Sequence, residues 1–183
     1  MPKHLMLDLE TLDTRPSTVV LSIGAIAFDP QTGWMDEYQG GGLELFPRVD
    51  EQLEAGRTIS WDTMSWWLQQ SEEARKAVAK PPRPRIGVEN CLETFRDYCK
   101  RMGTTLVWSN GAAFDVVIME HLMNYQRIPW RFYKVLDMRT MMWLKNVAKK
   151  GETVHTALQD AKDQAERVIE SYRLLQGLHN DEV

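Results

Sequence analysis

Apolar and polar positions alternate from His4 to Glu10: Leu5, Leu7 and Leu9 fall on one side, Met6, Asp8 and Glu10 on the other. A period of two is that of a β-strand. Val19 to Phe28 is a second strand, rich in β-branched residues, and Asp29-Pro-Gln-Thr-Gly33 is a turn signal. A third strand is expected from about Trp34 to Phe46, with Gly40-Gly41-Gly42 marking a bulge or bend. These three make an antiparallel meander.

Downstream the period becomes helical. A helix is expected to begin at Ser60, and another after Ser71 as N-cap, ended by Pro81-Pro-Arg-Pro84. Ile86 to Met102 places Val88, Cys91, Leu92, Phe95 and Cys99 on one face, with Gly103 as C-cap. Thr104 to Trp108 reads as a short buried strand and Ala113 to Tyr125 as a helix. Val135 to Met138 reads as a brief strand and Arg139 to Val147 as a helix. The last helix runs from about Thr156 to Leu175, closed by Gly177. The expected fold is therefore α/β: a mixed sheet, with the meander followed by parallel strands, flanked by helices. Residues 1–183 read as one domain, with 48–85 as a helical excursion.

Composition adds boundaries. Hydrophobic residues make up 43% and charged residues 26%, ordinary for a globular chain. No apolar run approaches the ~20 residues of a membrane span. Met1-Pro2-Lys3-His4 passes at once into a run containing Asp8 and Glu10, unlike a signal peptide. The expectation is a cytoplasmic protein with no membrane partner. Cys91 and Cys99 are eight residues apart on one helix, about 12 Å along its axis, too far for a disulfide. The net charge of −4 is unlike that of many nucleic-acid binders. If four carboxylates gather around metal ions, however, the remainder is neutral. Arg127, Arg131, Lys134, Arg139, Lys145, Lys149 and Lys150 crowd one segment, as a solvated surface or as a binding face.

Three short motifs carry candidate chemistry. Asp8 and Glu10, at i and i+2 on a strand, share a face. Either the strand end reaches solvent or a cation lies between them, and hard oxygen ligands suit Mg²⁺ or Mn²⁺. Asp115 falls in the first turn of a helix that follows an inner strand. Helix capping favours Asp there, and α/β sheets also place their sites there. Thr156-Ala-Leu-Gln159 fits a capping box, which puts His155 and Asp160 at the two positions that meet in a hydrophobic staple. The pair serves structure or catalysis. Asp163, three residues on, is a weaker candidate.

In order, D-x-E on the first strand, F-D after a middle strand and H-x₄-D opening the last helix resemble the DEDDh, or proofreading-type, 3′→5′ exonucleases with a ribonuclease H-like fold. The stretch Thr58 to Arg75, with its tryptophan helix and Ser-Glu-Glu-Ala-Arg, resembles the subgroup of the actinobacterial exoribonuclease AS and the phage exonuclease A. The resemblance implies that Asp8, Glu10, Asp115 and Asp160 hold two divalent metal ions, Mg²⁺ or Mn²⁺, and that His155 is the general base. It implies attack at the 3′ ends of single-stranded DNA or RNA, releasing nucleoside 5′-monophosphates, and a homodimer as the assembly of many members. Thr11, which follows Glu10, is a candidate to touch the terminal nucleotide. Trp66 and Trp67 either stack on bases or pack in the core; neighbours on a helix point ~100° apart, so at most one faces substrate. The commoner pattern has Asn four residues before the F-D aspartate, whereas Asn110 lies five before Asp115, with Gly111 extra. The alternative reading is a catalytically inactive nucleic-acid-binding module on the same fold. Retention of all five motif residues speaks against it.

Overall fold

In the computed structural model, which describes residues 3–37, 40–144 and 156–180, the alternation of the first strand becomes the two faces of a sheet. β1 (Lys3–Thr11) pairs antiparallel with β2 (Val20–Asp29), setting Asp8 opposite Gly24 and Glu10 opposite Ser22. β3 (Trp34–Met35) and β4 (Leu43–Leu45) both pair antiparallel with β2, at its end and its middle respectively. The single strand expected over 34–46 is therefore two short ones. Gly40, Gly41 and Gly42 have φ of 93°, 76° and 77°, a left-handed run that no strand can pass through. Asp36 braces this loop, its Oδ2 accepting from the Gly42 N–H (3.3 Å) and the Tyr98 hydroxyl (2.8 Å).

The stretch 48–85 holds α1 (Val49–Glu54), which the sequence pattern did not reveal, α2 (Trp61–Leu68) and α3 (Glu72–Ala79). Ser60 and Ser71 cap α2 and α3, accepting from the N–H groups of Thr63 and Ala74. Trp67 and Ala74 pack against Val19 and Leu21. Arg85 donates to the Leu21 carbonyl (2.7 Å), tying the proline-rich linker back to the sheet.

α4 (Val88–Met102) ends at Gly103 as expected, and its Cys91 and Cys99 are buried free thiols. β5 (Thr104–Ser109) runs parallel to β1. α5 (Asp115–Leu122) is shorter at both ends than its pattern suggested, and the left-handed Asn124, Tyr125 and Arg127 follow it. A 3₁₀ turn (Phe132–Lys134) leads into β6 (Val135–Asp137), parallel to β5, and then α6 (Met138–Leu144). α7 (Ala157–Asn180) runs through Gly177 instead of ending there. A mid-helix glycine costs only about 1 kcal/mol relative to alanine, within what an otherwise well-packed helix absorbs.

The sheet order is β3-β2-β1-β5-β6, with β4 beside β2. Leu5, Leu7 and Leu9 join Phe95, Cys91 and Met119 in the core on the α4–α5 side. Met6, Ile26 and Phe28 join Ala161, Ala165 and Val168 on the α6–α7 side. Asp8 and Glu10 continue the Met6 side, so they face α7. Among the described residues no helix is long and apolar enough to cross a membrane.

Candidate active site

The site forms where β1 outruns its neighbour. β5 pairs with β1 only as far as Met6, opposite Trp108. Beyond that pairing the Leu9 N–H donates to Asp115 Oδ1 at 3.1 Å. Asp115 is the first residue of α5, where unsatisfied amide groups favour a carboxylate. The loop before it is held from β6. Asp137 Oδ2 accepts from the Ala112 N–H (2.6 Å), and its Oδ1 accepts from the Thr140 N–H (2.7 Å). These donors hold the Asp137 carboxyl below its ordinary range, against the opposing effect of burial. Arg139 donates to the Asn110 carbonyl at 3.0 Å. The extra residue, Gly111, takes φ 119°, so the longer loop still delivers Asp115 to β1.

The opposite wall is α7. Ala157, Ala161 and Ala165 are fully buried and let the helix lie close on the sheet. The approach is close at Gly24: a Cβ there would stand 2.1 Å from the carbonyl carbon and oxygen of Ala157. This contact seats the start of α7 beside the strand pair that carries Asp8. The Asp160 N–H bonds the Thr156 carbonyl (2.9 Å) in the first turn. The carboxylate oxygens of Asp8, Glu10 and Asp160 come within 4.8 Å of one another. Asp115 stands beside this triad. Gln164, one turn past Asp160, donates to Asp8 Oδ1 at 2.6 Å. Asp163 instead accepts from Gln159 (2.8 Å) on an exposed side. His155 lies outside the described residues.

The electrostatics are those of an acidic cluster short of cations. Burial, then the charges of Asp115 and Glu10, push the Asp8 carboxyl well above its ordinary value. Burial, then Asp160 and Asp115, push Glu10 up to about 8. Burial pushes Asp115 up to about 7 against the pull of the Leu9 N–H. Among the described residues no ion pair holds Asp8, Glu10 or Asp115. Close, hard oxygen donors carrying uncompensated charge fit a divalent cation of the Mg²⁺ or Mn²⁺ kind.

The tryptophans divide. Trp67 is buried and donates to the Thr11 carbonyl (2.9 Å), so it packs and braces the chain just after Glu10. Trp66 is 43% exposed and stands edge-on to Trp67, ring centroids 5.0 Å apart. Thr11 is buried, and its hydroxyl donates to the Asp13 carbonyl. Gln164 and Asp137 were missed by sequence reasoning, and Arg139 was read only as one of a crowd of cations. Only Gln164 left a usable signal, its i+4 spacing from Asp160.

Comparison with known proteins bears on the family and the fold. A family profile described as a 3′-5′ exoribonuclease Rv2179c-like domain matches residues 3–172. An exodeoxyribonuclease of Enterobacteria phage T4 is 27% identical over 158 residues, 74% of this chain and 68% of the phage protein. Among solved structures, cell-death related nuclease 4 aligns with a TM-score of 0.54 at 10% identity, over 95% of this chain and 64% of that one. A 3′-exonuclease described for 3′-end specific recognition of a histone mRNA stem-loop gives 0.51 at 14% identity, over 96% and 82%. The chain thus spans just under two thirds of the first of these structures, and both likenesses speak to the fold, which is ribonuclease H-like. With the profile spanning nearly the whole chain, the protein belongs to the family of 3′-5′ exoribonuclease Rv2179c-like domains.

Proposed function

We propose that the protein is a metal-dependent 3′–5′ exonuclease that releases nucleoside 5′-monophosphates from single-stranded DNA or RNA. The observation that carries this reading is the convergence of Asp8, Glu10 and Asp160, from two distant parts of the chain, to within 4.8 Å. Asp8, Glu10 and Asp160 would hold one divalent ion, and Asp8 with Asp115 a second. Bound there, such ions would supply Lewis-acid stabilisation of the phosphate and lower the pKa of water. Asp115 and Gln164 orient the backbone and Asp8 around that position. Imidazole is the side chain that ordinarily titrates near neutrality, which suits His155 to accept the proton of the attacking water. Trp66 offers an exposed ring for a terminal base, while Trp67 acts on the substrate end only through Thr11. The family description names an exoribonuclease and the phage relative an exodeoxyribonuclease, so both polymers are substrates to test.

His155→Ala assayed with excess Mg²⁺ or Mn²⁺ on 3′- and 5′-labelled single strands is expected to lose ~10²–10⁴-fold in rate. Its metal affinity should be retained. Asp8→Asn should lose both activity and Mn²⁺ binding by calorimetry. Wild-type rates in the two variants would end the proposal.

A further inference from the structure

β6 is the edge strand of the sheet on the side of the Asp115 loop. The turn leading into it carries Phe132 at 87% and Tyr133 at 60% exposure, their rings edge-to-face with centroids 5.3 Å apart. Large aromatic surfaces left in water on a turn add nothing to the core. Arg131 is exposed beside them, and Lys134 Nζ lies 5.8 Å from the Tyr133 ring centre. At the other end of β6, Arg139 is exposed with its guanidinium on the Asn110 carbonyl, in the loop that delivers Asp115. β6 has three residues, so the two ends are ~10 Å apart along the strand.

The charge of this edge is opposite to that of the chain. Between residues 131 and 139 stand Arg131, Lys134 and Arg139 against one acid, Asp137, in a protein of net charge −4. Asp137 is committed to the Ala112 and Thr140 N–H groups. Among the described residues no ion pair holds Arg131, Lys134 or Arg139, whereas Arg127 nearby is paired with Glu93. Arg139 is within Coulombic reach of Asp115 and Asp137, but Arg131 and Lys134 stand beside exposed rings, and cations interleaved with rings complement a polyanion of stackable bases, not an apolar partner.

We propose that Arg131, Phe132, Tyr133 and Lys134 form a platform for the single strand upstream of its 3′ end, with Arg139 guiding the strand between platform and carboxylates. The proposal rests on the exonuclease reading of the acidic site. It predicts that affinity depends on substrate length: a strand reaching past the edge of β6 gains the platform and a very short one does not.

The test compares wild type with Phe132→Ala/Tyr133→Ala and with Arg131→Glu/Lys134→Glu. Three probes are used: a single strand of about 20 nucleotides, a trinucleotide, and the p-nitrophenyl ester of thymidine 5′-monophosphate. Expected is a KM about tenfold higher on the long strand for the aromatic variant. The charge variant should show a similar loss and a shallower salt dependence. Rates on the ester and trinucleotide should be unchanged. Equal KM on the long strand, or a loss shared by the ester, overturns the platform. So does a wild-type dimer that the aromatic variant converts to monomer with KM unchanged, since the rings then meet a second copy of the chain. Fluorescence anisotropy of the labelled long strand in EDTA reads binding without catalysis. If wild type degrades no probe, the exonuclease reading fails, and a wild-type strand affinity equal to that of both variants still removes the platform.

Discussion

At the scale of single residues, the acidic site depends on groups that are not acidic. Asp8 sits among like charges, and the described neutral donor turned toward it is Gln164 at 2.6 Å. That bond fixes which way the carboxylate faces, as hydrogen bonds to metal-ligating groups do generally. Gln164→Ala is expected to weaken Mn²⁺ binding by about 10–100-fold while leaving the thermal midpoint in EDTA near that of wild type. An unaltered Mn²⁺ titration would mean that Asp8 is oriented by its strand alone. Asp8 and Glu10 were legible because period two puts both on one face. Trp66 and Trp67 were not separable, because adjacent letters carry no information about which ring finds the Thr11 carbonyl.

At the scale of elements, the site is a junction of three. β1 brings two carboxylates, α5 one and α7 one, and each is placed by backbone packing. One of these contacts is Gly24 against the first turn of α7, with no room for a Cβ. Gly24→Ala requires that turn to lift by more than a side-chain adjustment, because the clash is with backbone. Urea unfolding should show a loss of at least ~1–3 kcal/mol, the usual range for overpacking. Calorimetry should show weaker Mn²⁺ binding, because Asp160 moves with the helix. A variant that unfolds and binds Mn²⁺ as wild type does would show that the start of α7 is placed by other contacts. Elements with strong periodicity, such as α4 and β1, appear close to where their patterns put them. The third strand does not, because three consecutive left-handed glycines cannot be told from a bulge without their φ angles.

At the scale of the molecule, gathering these carboxylates stores repulsion that protons or metal ions must relieve. The metal-free native state holds Glu10 up to about 8 and Asp115 up to about 7, with Asp8 also raised, all above their unfolded values. It therefore binds more protons than the unfolded chain across this window, and stability falls as pH rises from about 4 toward 8. Their favourable contribution is complete below the unfolded pKa values and gone above the folded ones. Divalent ions replace the protons, so binding strengthens with pH and releases protons. Thermal midpoints at pH 5 and pH 8, in EDTA and in excess Mn²⁺, test this: the metal-induced rise should be much larger at pH 8. Equal rises at both pH values would contradict it.

The amino-acid order by itself determined the strand faces, the helix caps at Ser71 and Gly103, and the identity of the candidate acids, because each depends on neighbours a few residues away. Only the tertiary structure decided that Asp8, Glu10 and Asp160 share one small volume, and that Asp137, Arg139 and Gln164 support it. It also decided that the cations of 131–139 lie on the sheet edge beside exposed rings. Those facts depend on contacts between residues far apart in the chain, and local periodicity is blind to contacts of that range.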